Sequence, residues 1–211
     1  MGSGRERATP DGPATVVAMD PLPARKLAQV VLTPDASSAA FAGVVHPEVP
    51  YGADARFWCP NGHDRIEPAC ACGFYAVDGD RPLPQSLVLA ATCHVELAGR
   101  VVRHPDCLRG ELLRVLRVVV DRWCAWCTGR ATGLAPVTSS WRGLPPGWWR
   151  ALPVCSVHAQ RQEVVVRPGH LASLLATEVG WSDNPTSRAA ASLSRAGMTP
   201  GRPARWRRVR T

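Results

Sequence analysis

The sequence predicts an α+β fold: a small body of short antiparallel strands and one long amphipathic helix, tied together by two clusters of cysteine and histidine. Three observations carry that prediction. Six of the eight cysteines fall into two groups, and one histidine completes each group. From residue 108 to 123 the apolar residues Leu108, Leu112, Val115, Leu116, Val119 and Trp123 recur at three- and four-residue spacing, with Arg109, Arg114, Arg117 and Arg122 mostly off that stripe. Such spacing is the signature of a helix with one buried face. Elsewhere, short apolar runs are broken by Gly- and Pro-rich turns, which suits strands.

Taken in order, residues 1–24 are rich in Gly, Pro and charge and read as a disordered N-terminal segment. Residues 25–107 form the first module. Its opening run, Leu27 to Leu32, is too short to distinguish strand from helix end. The small-residue stretch Ser37 to Tyr51 reads as loop, with a short strand at Phe41–Val45. After the first cysteine group, GFYAV (residues 73–77) reads as a strand, and residues 87–103 as one or two strands interrupted by Gly99. His104-Pro105-Asp106 is a turn. The second module, 108–180, opens with the amphipathic helix and runs straight into Cys124. Residues 129–146 read as loop or hairpin, followed by a Trp-rich segment. A helix start follows Pro153, then a short strand (EVVVR, residues 163–167) and a closing helix over about His170–Val179. Residues 181–211 read as a basic disordered tail. The modules are expected to make one body rather than two separate domains.

The first cysteine group is Cys59, His63, Cys70 and Cys72; the second is Cys124, Cys127, Cys155 and His158. Each offers three sulfurs and one imidazole, the ligand set of a closed tetrahedral zinc site, so two structural Zn²⁺ ions are expected. In such modules metal binding and folding are one free-energy event. Pro60 and Gly62 suit a tight turn around the first ion, and the small Ala71 lets Cys70 and Cys72 chelate together. Cys124-x-x-Cys127 has the spacing of a zinc knuckle. Cys155-x-x-His158, three residues apart at a helix start, places both side chains on one face. Buried free cysteines with surface histidines are the alternative in each case.

Two resemblances follow from these residues. The knuckle, intervening hairpin and helix-start pair of the second group resemble the layout of treble-clef zinc fingers. The pattern WCPNGH, then PACACGFYAV, then Ala98-Gly99-Arg100-Val101-Val102 resembles a motif of uncharacterised actinobacterial proteins, over about Trp58 to Glu111. That likeness implies zinc binding and no particular activity. A single lysine, Lys26, against 24 arginines agrees with the codon bias of a GC-rich genome.

Cys93, His94, His104 and Cys107 remain outside both groups; they are read as buried or turn residues, with a third metal site as the lesser alternative. His94-Val95-Glu96 followed by Cys124-x-x-Cys127 superficially matches the outline of zinc deaminases, in which a Glu beside a three-ligand zinc moves the proton of a bound water. Trp123 stands where a Pro is expected. His94 lies in a strand-like run, and Cys155 and His158 are at hand to close the coordination shell. No phosphate-cradling Gly loop or nucleophile elbow is present.

The tail 181–211 carries seven arginines against Asp183, net +6 of the chain's +8. A cationic segment of this kind attracts polyanions without reading sequence. Arg202, Arg205, Arg207, Arg208 and Arg210 would meet phosphates, with Trp206 placed to stack on a base and Arg114 and Arg117 as auxiliary contacts. A solubilising tail is the alternative. Of the eight tryptophans, Trp123, Trp126, Trp141, Trp148 and Trp149 gather around the second group. Core packing is expected of them, and an exposed Trp148-Trp149 pair would mark a protein-binding patch. Nothing in the sequence resembles a signal peptide or a membrane span, so the expected compartment is a reducing cytoplasm, where spaced cysteines favour metal over disulfide. The functional reading is a non-enzymatic, zinc-stabilised binding protein with nucleic acid as partner. A protein–protein adaptor is second, and a zinc hydrolase or deaminase third.

Overall fold

The structure, a computed structural model, describes residues 15–18, 20–44, 46–83, 90–137 and 143–182. Within them the order is β1 (Thr15–Ala18), β2 (Leu22–Leu32), β3 (Ala39–Ala42), β4 (Asp54–Arg56), β5 (Phe74–Asp78), β6 (Ala91–Arg103), β7 (Leu108–Asp121), β8 (Gly133–Val137), β9 (Trp149–Val154), α1 (Ser156–Ala159), α2 (Pro168–Leu175) and β10 (Glu178–Ser182).

β2 pairs with β6 from Leu22 to Ala28, β6 with β7 along most of its length, β7 with β5, and β5 back with β2 at Ala24 and Arg25. These antiparallel pairings close a ring, which leaves the long strands no free edge at the centre of the molecule. Further along, β3 pairs with β2 and bridges to Tyr51, and β4 pairs with β7, so the wall continues between them. β10 lies parallel to β7 from Arg117 to Asp121, and the β8–β9 hairpin joins the wall through Val31 and Leu32 of β2. Inside sit Ala24, Ala28, Val30, Phe41, Cys93, Val95, Leu97, Leu113, Val115 and Val118, with Leu171 and Leu175 of α2 in the same cluster. The alternation of buried and exposed residues along β6 and β7 is what a strand with one face on a core requires.

The predicted α+β class is therefore corrected. The molecule is mainly antiparallel strand, and residues 108–121 form the longest one, β7, rather than a helix. Two irregularities explain the misreading. Leu116 is an extra residue opposite the His94–Val95 step, and Gly99 and Arg100 together face Glu111, with Gly99 in the left-handed region at φ +72°. Each slip stretches a two-residue period to three, so the inward residues Leu108, Leu113, Val115, Val118 and Val120 imitate helical spacing. The Val-rich composition was the better guide, since β-branched residues favour strands. Leu112 and Leu116, placed on the buried stripe by the helix reading, are instead exposed.

Other boundaries also move. β1 and the start of β2 fall within the segment predicted to be disordered, and β3 ends at Ala42. Residues 163–167 contribute only the bridge of Val166 to Leu134, and the closing helix is followed by β10. Trp181 and Ser182, assigned to the tail, pair with Val120 and Asp121, and Trp181 packs against the core.

Candidate metal centres

The first centre is built from two turns hung below β4 and β5. Cys59 opens a turn closed by the Gly62 N–H to the Cys59 carbonyl (3.0 Å), with Gly62 at φ +76°, a conformation that suits glycine. A second turn brings the Cys70 N–H to the Glu67 carbonyl (3.0 Å). Cys59 Sγ then lies 3.5 Å from His63 Nδ1 and 3.7 Å from Cys70 Sγ, and Cys72 Sγ lies 4.0 Å from His63 Nδ1. All four donor atoms fall within 4.8 Å of one another. A zinc tetrahedron with ordinary bond lengths has edges of about 3.5–3.8 Å, so the donors are preorganised for such an ion.

What holds these turns is a residue that the helix reading placed on an exposed face. Arg109 of β7 is 1% exposed, and its guanidinium donates to the backbone carbonyls of Cys70 and of Glu67, the latter at 2.9 Å. Its guanidinium carbon also lies 5.9 Å from the Tyr75 ring centroid. Three thiolates and one dication leave a net negative charge, which a buried guanidinium beneath the turn offsets. Gly73 makes the close approach feasible: a Cβ there would sit 3.0 Å from Arg109 Cγ and from Ile66 Cγ2. Glu111 braces the other side, accepting from the Ile66 N–H (3.1 Å) and the Arg100 N–H (3.0 Å). The Asn61 amide donates to Cys70 Sγ at 3.5 Å. Hydrogen bonds, first that from the Cys72 N–H, pull the Cys70 thiol down to about 6, while burial pushes Cys72 up to about 11.

The second centre follows the predicted plan. Cys124 and Cys127 form a knuckle in which the Trp126 N–H points at Cys124 Sγ (3.5 Å) and the Gly129 N–H at Cys127 Sγ (3.3 Å). The β8–β9 hairpin then carries the chain to Cys155, and α1, a single turn, returns His158 to the same point. Cys124 Sγ to His158 Nδ1 is 3.5 Å, Cys155 Sγ to His158 Nδ1 is 3.2 Å, and Cys127 Sγ to Cys155 Sγ is 3.5 Å. Burial opposes ionisation of Cys155, but hydrogen bonds led by the His158 N–H outweigh it and bring the thiol to about 6. The Trp126 ring stacks over His158, with centroids 5.9 Å apart.

Among the described residues, Cys/His clustering occurs at these two places. Cys93 points into the barrel at 1% exposure, His94 is exposed on β6, and His104 and Cys107 belong to the β6–β7 turn, so the four do not gather into a third centre. Cys124 is grouped with Cys155 and His158 rather than with His94 and Glu96, which removes the deaminase arrangement. Arg114 and Arg117 project from the outer face of β7 beside acids: Asp54 at 3.6 Å and Glu178 at 3.2 Å. Trp148 is half-buried against Val31, Ala40 and Ala42, while Trp58, next to Cys59, is the exposed tryptophan at 66%. Trp141 and the tail residues Arg202, Arg205, Trp206, Arg207, Arg208 and Arg210 lie outside the described residues. No helix of the described residues is long and apolar enough to cross a membrane. Comparison with family models, curated proteins and solved structures gives no match.

Proposed function

We propose that the protein is a zinc-stabilised binding module in which both metal ions are structural and the basic C-terminal segment engages nucleic acid in the cytoplasm. The observation that carries the structural role is the donor count. Each cluster supplies four donors already at tetrahedral edge distances, which leaves an ion no protein-free position at which to activate water. The net +6 of residues 181–211 supports the choice of partner, because neutralising phosphates with arginine releases counterions whatever the sequence.

Elemental analysis of the purified protein should return about two zinc equivalents. Retention on immobilised DNA and RNA should fall steeply with salt and should be lost in a chain ending at Ser182. Retention that survives this truncation would move the contact to the body. No retention by the full chain would favour a protein partner instead.

A further inference from the structure

The barrel holds three reactive side chains that the metal centres do not use. Lys26, the chain's single lysine, lies at an inward position of β2 between Ala24 and Ala28, opposite Cys93 of β6. Its amine donates to the Tyr75 carbonyl of β5 at 3.2 Å. Tyr51 enters from the wall beside β3, its ring 5.9 Å from Phe41 and 5.3 Å from Phe74, and its hydroxyl is buried without a partner among the described residues. Cys93 is likewise enclosed. A lysine, a tyrosine and a cysteine therefore share an interior otherwise lined by residues such as Val95, Val115 and Val118. An unpaired buried hydroxyl is costly and calls for a partner. Solvent reaches part of the Lys26 side chain, which gives a small molecule a route in.

We propose that Lys26, Tyr51 and Cys93 form a covalent capture site, independent of the metal centres, at which the lysine amine traps a small aldehyde as an imine. The surroundings suit that chemistry. Burial lowers the Lys26 pKa and so favours the nucleophilic neutral amine; Cys93 is the titratable neighbour whose charge acts on it. Burial keeps the Tyr51 hydroxyl protonated and pushes Cys93 up to about 12. The amine lone pair attacks the carbonyl carbon, and the C=O electron pair moves to oxygen, which takes a proton from the Tyr51 hydroxyl. The nitrogen then returns a proton to the tyrosinate. Loss of the oxygen as water, with the second amine hydrogen, leaves the C=N bond. Amine and aldehyde thus balance imine and water, and no oxidant is needed.

The test is reductive trapping with propanal and cyanoborohydride on the folded full-length protein at pH 7. Peptide mass spectrometry reads Lys26 directly, and a short lysine peptide serves as the reference amine. Lys26 should be propylated at least about tenfold faster than the peptide, the factor that one pKa unit of depression gives. Its advantage should shrink as pH approaches 10. Tyr51→Phe keeps the ring between Phe41 and Phe74 and should slow trapping by about a hundredfold, the usual loss of a positioned acid. Labelling no faster than the peptide, or equal rates in the wild type and Tyr51→Phe, would overturn the site and leave Lys26 as a buried structural amine. Neither result bears on metal content or nucleic-acid retention.

Discussion

At the residue scale, the eight ligands were legible because their chemistry is carried by identity and spacing, but the residues that brace them were not. Arg109 reads in sequence as one more arginine in an arginine-biased chain, and only the fold reveals that its guanidinium holds the Cys70 and Glu67 carbonyls. Arg109→Met should therefore cost about 2–4 kcal/mol, since two charge-assisted hydrogen bonds disappear and two carbonyls lose their donor. In cobalt-loaded protein, the first centre should weaken while the second keeps its spectrum. Equal weakening of both would show that Arg109 acts on the barrel rather than on the centre. Lys26 makes an independent prediction. Its pKa is depressed in the fold, so the unfolded chain binds the proton more tightly. Stability is then lost as pH falls from the ordinary 10.5 through the lowered value. Lys26→Met should raise Tm at neutral pH, and that gain should shrink as pH is raised toward 10. A gain independent of pH would mean that packing, not charge, is responsible.

At the element scale, the metal modules were read better than the barrel. The β8–β9 hairpin and the helix start after Cys155 follow from ligand spacing, which constrains the path of the chain whatever lies between. β7 was misread because bulges at Leu116 and at Gly99–Arg100 break the two-residue period, and a bulge leaves no mark in the apolar pattern that separates it from a helical turn. Leu112 and Leu113 distinguish the two readings. Leu113 is 2% exposed and Leu112 41%, so Leu113→Ala should cost about 2–5 kcal/mol and Leu112→Lys within about 0.5 kcal/mol. The helix reading reverses that order, and urea unfolding of the two variants decides it. β10 was missed because Glu178–Ser182 is short and adjoins a tail whose composition dominates the window. A chain ending at Gly180 loses the Trp181–Val120 and Ser182–Asp121 pairs. It should melt several degrees below one ending at Ser182; identical melting would show that β10 adds nothing to the sheet.

At the scale of the whole molecule, the barrel changes what metal removal should do. Two Cys₃His groups in a chain of 211 residues suggest a fold that collapses without its ions, as zinc fingers do. The principal core, however, comprises 22 buried residues, none of them among the eight ligands. Cys59 and Cys72 belong to a separate, smaller cluster with Phe57, Ile66 and Val102. Burial on the scale of the principal core is enough to keep a domain folded without a staple. A chelator should therefore act in two parts. The turns from Cys59 to Cys72 and the knuckle with α1 should unwind, changing the fluorescence of exposed Trp58 and of Trp126, which stacks on His158. The barrel should keep its strand circular dichroism and its own cooperative thermal transition at a lower Tm, because β4, β5 and the β8–β9 hairpin lose their anchors. A single transition that vanishes as the second equivalent of zinc leaves would show that the barrel cannot stand alone. The metals would then determine the fold rather than secure its surface.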